Sequence, residues 1–281
     1  MPYSPSALAA LLCPHCGLDL AEVASPRGLA CLSGHRFDAA RSGYLNLLTG
    51  HPHGLRSDTA PMVAARQQFL DAGWYAPLRD QLAATAKRTM PAPREDSVVL
   101  EAGCGTGYYL AGLTAERAPV GIDLSPHALK RALHQVPGLT ALVWDLWRPL
   151  PIAARSLDAV LAVFAPRPWA EFRRVLHPEG VLLMATPEPA HLEGLPQMAG
   201  RLGLHPDKGD SVLSAAQDYF TLTEQARVEY EIDLPVEAAR QAVYMGPSGH
   251  HLTLEQITAE LTEPSYRVSA AFRLWAFRPI R

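Results

Sequence analysis

The chain has 281 residues, 48% of them hydrophobic, which is enough for a full α/β core with a smaller unit appended. A formal net charge of −3 and an isoelectric point near 6.4 exclude a global cationic field, so a polyanionic partner has to be held by a local patch. The sequence does not open like a secretory signal, and no run approaches about 18 uninterrupted apolar residues; a soluble, cytoplasmic protein with no membrane partner is expected.

Three of the four cysteines fall in one N-terminal stretch, a distribution unlike a disulfide framework. Cys13-Pro-His-Cys16 and Cys31-Leu-Ser-Gly-His35 form two knuckle-like halves with fourteen residues between them. Cys13, Cys16, Cys31 and His35 make a closed tetrahedral ligand set for zinc, with no position left for a reacting water, so the metal is expected to be structural. His15, inside the first knuckle, reads as a surface residue. The stretch leaves little room for a core of its own, and the metal is expected to hold it together. Residues 1–50 are taken as this unit. Residues 51–96 follow as a linker, rich in Gly and Pro around His51 and His53 (both read as solvated), with helices at Ala60 to Ala72 and Tyr75 to Met90.

From Ser97 to the end, residues 97–281 alternate strands and helices. Strands are expected at Val98 to Glu101, Pro119 to Asp123, Thr140 to Trp144, Leu157 to Phe164 and Val181 to Thr186. Helices are expected after Gly107, over Pro126 to Gln135 and over Trp169 to Leu176. Two further strands, Arg227 to Leu234 and Tyr266 to Phe277, close the chain, with helical stretches at Val236 to Tyr244 and Thr253 to Leu261. This is the rhythm of a Rossmann-like α/β fold with a mostly parallel seven-stranded sheet and an antiparallel edge pair, similar to the class I methyltransferase variant.

The first of these strands runs into Glu101-Ala-Gly103-Cys-Gly105-Thr-Gly107, where bare backbone permits close approach of a ligand. A dinucleotide-binding loop is the rival reading, but a pyrophosphate would be disfavoured by Glu101, whereas the amino-acid end of S-adenosylmethionine would be favoured. Asp123, at the end of the next strand, is placed to accept both ribose hydroxyls of a nucleoside; Ser125 already serves as the helix cap. Asp145 ends the third strand, where it could bond the adenine amino group or simply be an exposed carboxylate. The amides of Tyr109 and Leu110 are expected at a helix N-terminus open to ligand polar groups.

Further blocks extend the pattern: Gly34-His-Arg-Phe-Asp-Ala-Ala-Arg-Ser-Gly-Tyr-Leu-Asn-Leu-Leu48, Met62-Val-Ala-Ala-Arg66, Phe69-Leu-Asp-Ala-Gly-Trp-Tyr75-Ala-Pro-Leu78, Phe164-Ala-Pro166, Thr186-Pro187 and His191-Leu192. Together with the knuckles they closely resemble the 23S rRNA (guanine-N1)-methyltransferase family of the RlmA and TlrB type. Met245-Gly-Pro-Ser248 is more similar to the TlrB branch, associated with tylosin resistance; the chain departs from it at Gly249-His250, where that branch has a bulkier residue before the histidine. The resemblance implies a zinc-ribbon-like RNA-reading module on a methyltransferase core, S-adenosylmethionine as donor, a guanine of hairpin 35 in 23S rRNA as target, and a homodimer. It also places Tyr75 and His191 at the cofactor.

Transfer to guanine N1 requires loss of the N1 proton, for which His191, Asp145 and the backbone of Phe164-Ala-Pro166 are the candidates. Arg27, Arg36, Arg41, Arg56, Lys87, Arg88, Arg167, Arg173 and Arg174 are candidate RNA contacts, and Phe37, Tyr44 and Trp169 candidate stacking platforms. Two other functions compete: methylation of a small molecule or protein, with the zinc unit as a lid, and RNA binding without turnover on a retained methyltransferase fold.

Overall fold

The structure is a computed structural model and describes residues 3–25, 27–48, 56–196 and 209–280; His51 and His53 lie outside this set. In chain order the N-terminal part gives α1 (Pro5–Ala9), β1 (Leu20–Val23), β2 (Gly28–Cys31), β3 (Arg36–Asp38) and β4 (Leu45–Asn46), followed by α2 (Ala60–Asp71) and α3 (Ala76–Thr89). The central part contains β5 (Val98–Ala102), β6 (Ala118–Asp123), α4 (Pro126–Gln135), β7 (Thr140–Val143), β8 (Leu157–Val163), α5 (Trp169–Val175) and β9 (Leu176–Pro187). The C-terminal part adds α6 (Gly209–Ala216), β10 (Phe220–Pro235), α7 (Val236–Tyr244), α8 (Leu254–Glu260) and β11 (Ser265–Pro279).

The large sheet has the order β10-β11-β9-β8-β5-β6-β7-β4. Strands β5 to β9 and β4 pair in parallel, and β10 and β11 form the antiparallel edge. All seven expected strands are present. An eighth, Leu45–Asn46, comes from the N-terminal unit and pairs with Leu142 and Val143 of β7. Strands β5 and β8 are buried at every position, as sheets covered on both faces require. By contrast, β10 alternates between half-buried and exposed positions because its outer face meets solvent.

Three helices begin on side-chain caps that the sequence supplies. Thr59 accepts from the Met62 amide, Ser125 from the Ala128 amide with Pro126 at the first helical position, and Thr253 forms a capping box with Gln256. The helix expected after Gly107 is absent. Only one 3-10 turn, Leu110–Gly112, fits between the loop and β6, and Glu116 turns the chain back with a left-handed φ of 59°.

The N-terminal unit does have an apolar interior, shared rather than its own. Leu11, Leu20, Leu29, Phe37, Leu45 and Leu47 are buried in one cluster with Val98, Leu100, Val120 and Leu142 of the large sheet. Backbone bonds from Leu12 N to Pro151 O (3.0 Å) and from Ala153 N to Ala10 O (2.8 Å) seam the two together. Among the described residues no helix is long and apolar enough to cross a membrane.

Candidate active site and metal centre

The C-terminal ends of β5, β6, β7, β8 and β9 open onto one cavity of about 800 Å³, at the point where strand order reverses between β5 and β8. Glu101, Gly103, Gly105, Tyr109, Asp123 and Asp145 line it, together with Tyr75 and His191. Gly107 and Leu110 do not. Gly107 backs onto α4, where an added Cβ would sit 2.8 Å from Val136 Cγ2, and the Leu110 side chain is fully buried beneath the loop.

Glu101 is only 1% exposed, and its one hydrogen bond among the described residues comes from the Leu110 amide at 3.2 Å. The amide expected to face a ligand is thus occupied by this carboxylate. Burial pushes the Glu101 carboxyl well above its ordinary range, opposed in part by that amide. Asp123 is held by two backbone amides, Gly105 N on Oδ2 and Ser125 N on Oδ1, both at 2.8 Å. Its carboxyl is also raised by burial, against the pull of those amides and of Arg66. Asp145 caps the turn beyond β7: Oδ1 accepts from Trp147 N at 2.9 Å, and Arg148 Nε lies 3.7 Å from Oδ2.

On the other side of the cavity, the Tyr75 hydroxyl is 3.0 Å from His191 Nε2, inside a cluster formed with Phe69, Phe164 and Phe272. Phe164 takes a left-handed φ of 53°, which turns its ring to the cavity mouth, where it is 45% exposed. Trp147, 64% exposed, stands on the same rim.

Sequence reading missed the strap across the cofactor loop. Arg66 pairs with Asp58 and donates to Met245 O at 2.6 Å; Asp58 Oδ1 lies 3.3 Å from His250 Nε2, and Ser125 Oγ donates to Asp58 O at 2.7 Å. Apart from Arg66 and Asp58, its partners are 67 or more positions apart, so no local sequence pattern announces it. The departure at Gly249 has a local cause: a Cβ there would lie 2.0 Å from Tyr244 O and 3.1 Å from Met62 Cε, so nothing bulkier fits.

Several candidate RNA contacts are committed to the fold. Arg174 binds Glu171 and the carbonyls of Leu150 and Ile152, Arg173 donates to Ile280 O, Arg88 pairs with Glu224, and Arg36 with Asp38. Phe37 is 5% exposed and not available as a platform, and Trp169 packs against Phe220 and Phe277.

Features of the cavity fit S-adenosylmethionine. A buried carboxylate without a cation calls for a positive partner, which the ammonium of the methionyl group would be. Among the described residues the buried hydroxyls of Tyr108 and Tyr109 have no hydrogen-bond partner, and both residues line the same space. At Gly103 the backbone has a φ of +72°, and a Cβ would meet Ala165 Cβ at 2.9 Å, so only glycine keeps the loop tight against the segment that follows β8.

In the N-terminal unit, Cys13, Cys16, Cys31 and His35 place one ligand atom each within 4.8 Å of one another. Cys13 Sγ and Cys31 Sγ lie 3.6 and 3.4 Å from His35 Nδ1, and Cys16 Sγ lies 3.6 Å from Cys31 Sγ. Zinc at its usual distances of about 2.3 Å from sulfur and 2.0–2.1 Å from nitrogen separates tetrahedral ligands by roughly 3.4–3.8 Å, so the set fits the ion. His15 is exposed and stacks on Phe37 at 5.8 Å.

Residues 99–180 match the model of a methyltransferase domain, and residues 11–51 match the zinc-ribbon model described as RlmA, N-terminal. The described part of the chain resembles a methyltransferase of Haloferax volcanii, provisionally so named and solved with the Trm112 activator (TM-score 0.51, 21% identity, 79% of this chain and 95% of that one), which supports the fold. A Streptomyces fradiae protein named 23S rRNA (guanine(748)-N(1))-methyltransferase is 38% identical over 90% of each chain. A Micromonospora griseorubida protein, provisionally named a 23S rRNA (guanine-N(1)-)-methyltransferase, is 41% identical over 98% of this chain and 99% of its own. The cofactor is S-adenosylmethionine and the four-ligand cluster is a structural zinc site. By these similarities the chain belongs to the 23S rRNA (guanine-N1)-methyltransferase family.

Proposed function

We propose that this chain methylates N1 of a guanine in the loop of hairpin 35 of 23S rRNA, with residues 1–50 reading the RNA, 51–96 linking and covering the cofactor, and 97–281 carrying out transfer. One observation carries the reading: β4 fastens the zinc unit to β7, the strand that leads to Asp145, so an RNA held by the unit would lie beside the cofactor cavity. The proposal includes a cytoplasmic homodimer and, following the branch similarity, protection against tylosin-type macrolides.

Bound S-adenosylmethionine supplies a methyl group on a sulfonium, ready for in-line displacement. The chain's own task is alignment and exclusion of water. Glu101 would hold the cofactor's amino group, Asp123 its ribose and Asp145 its adenine, with Tyr109 and Tyr75 covering the methionyl end and His191 beside the transfer face. Both Asp145 oxygens face partners within the protein, the Trp147 amide and Arg148, which counts against a role as base. Exposed rings for base stacking come from Trp147 and Phe164, with Arg148 and Arg167 in the same rim segments.

Mass spectrometry of 23S rRNA fragments incubated with S-adenosylmethionine and the protein tests this. A gain of one methyl confined to a hairpin 35 guanine is expected. Transfer to a small molecule or protein and to no RNA would overturn it, and failure to bind the cofactor in calorimetry would point to RNA binding without turnover.

A further inference from the structure

Strand β6 delivers the chain from the cofactor cavity into α4. Asp123 and Leu124 line the cavity, Ser125 caps the helix and Pro126 begins it. One face of α4 is apolar: Ala128, Leu129 and Ala132 are buried and Leu133 is half-buried. The opposite face carries His127, Lys130, Arg131 and His134, all exposed, at the i, i+3, i+4, i+7 spacing that gathers side chains into one stripe. The helix contains no acidic residue. Among the described residues, the side chains of Lys130 and Arg131 have neither an ion pair nor a hydrogen bond.

The zinc unit meets the C-terminal half of this helix. Gly43, in the turn between β3 and β4, lies at the junction: a Cβ built on it would be 3.4 Å from Arg27 Nη2 and 3.6 Å from Leu133 Cδ1. Arg41, in the same turn, is exposed and likewise without an ion pair among the described residues. Residues 39–44 contribute no acid; Glu22, which acts with Arg27 on the Tyr3 phenol, tempers the charge at that end. The ten residues of α4 span about 15 Å, so a line of donors runs from the cavity mouth to the zinc unit.

A basic helix face is usually just a solvated one. This one differs in its charge balance and in its ends. The chain has 28 acidic against 25 basic residues, and Arg88, Arg94, Arg174 and Arg267 are all paired with carboxylates. The stripe on α4 is left unneutralised, with the cofactor cavity at one end and exposed zinc-unit arginines at the other. We infer that the outer face of α4, continued by Arg41 and Arg27, is a docking surface for the phosphate backbone of the RNA strand that flanks the target nucleotide. The inference deepens the rRNA reading above and rests on it. Phosphate contacts carry no base information, so Lys130 and Arg131 set the register of the RNA and leave base choice to the cavity and the zinc unit. With a net negative chain, this stripe supplies the local field that the whole molecule lacks.

The test is fluorescence anisotropy over a salt series, with a labelled hairpin 35 transcript and an unrelated hairpin of equal length. Lys130→Gln combined with Arg131→Gln changes two exposed positions and should weaken binding of both RNAs about tenfold at low salt. The slope of log affinity against log salt should become shallower by about 2, roughly one per cation removed. In methylation assays KM for the RNA should rise, while kcat at saturating RNA and cofactor affinity by calorimetry stay native. Lys130→Arg should keep the native slope. Arg227→Gln, on β10 at the opposite edge of the sheet, removes a charge elsewhere and should leave both affinity and slope native. An unchanged slope in the double variant would make the face a solvated surface and overturn the inference. So would an equal loss per charge in Arg227→Gln, which would reduce the effect to net charge. A native protein that methylates neither RNA would defeat the guanine reading instead; the slope on the unrelated hairpin then still decides the docking surface, a fall of about 2 supporting it and no change overturning it.

Discussion

Glu101 is a carboxylate enclosed in protein, with one amide for company. A carboxyl whose pKa is raised in the folded state binds more protons folded than unfolded, so stability falls as pH rises through the window between its ordinary value and the raised one. An ammonium placed beside it removes that cost. The rise in Tm produced by S-adenosylmethionine should therefore grow as pH climbs through this window, and Glu101→Gln should give a smaller, nearly flat rise. Differential scanning calorimetry at a series of pH values measures it; a pH-independent shift in the native protein would mean that the cofactor's amino group lies elsewhere. That Glu101, Asp123 and Asp145 line one cavity was legible in the sequence because each lies at or just past the C-terminal end of a parallel strand, where such sheets open. Arg66 and Asp58 were not, since their roles exist only through contacts with the Met245–His250 segment, far along the chain.

At the scale of elements, pattern reading worked where burial is uniform and failed where length or register decides. The runs that became β5 and β8 are apolar except for one carboxylate each, Glu101 and Asp158, and could be bounded to within a residue, and α4 was placed at its observed ends, its start by Ser125 and Pro126. The segment after Gly107 has helical composition but must reach β6 within ten residues, and it makes only one turn. Two residues, Leu45–Asn46, carry too little pattern to read as a strand; β7 recruits them as its edge partner. One element-level contact has a measurable cost. Asp158 in β8 is fully buried, and Arg94, from the loop before β5, reaches it at 2.8 Å from a half-exposed position. Replacing the cation strands the carboxylate in the sheet. Arg94→Met should lose about 2–3 kcal/mol in urea unfolding, less than a fully buried pair because solvent screens the arginine, whereas Asp158→Asn with Arg94 intact should lose less. Equal losses would show that the buried charge is not what Arg94 serves.

For the whole molecule, the question is whether the zinc unit is an appendage or part of the body. The knuckles alone suggested a small unit held by metal, and the ligand distances agree with that. The buried cluster shows more: Leu29 and Phe37, from strands that lead into and out of the Cys31–His35 knuckle, share one core with β5, β6 and β7. Because α1 packs over β6 and β4 extends the sheet beside β7, loosening the unit exposes the faces of the strands that lead to Asp123 and Asp145. Removing zinc should therefore do more than release an RNA-binding arm. Chelation, or Cys31→Ser, is expected to give one cooperative unfolding transition at lower temperature and to weaken S-adenosylmethionine binding, since structural zinc contributes folding free energy directly. Readdition of zinc should restore both in the chelated native protein. An independently folded unit would give a different result: two transitions, the lower one sensitive to zinc, with cofactor affinity unchanged. Calorimetric scans with and without chelator, paired with cofactor titrations under the same conditions, separate these outcomes.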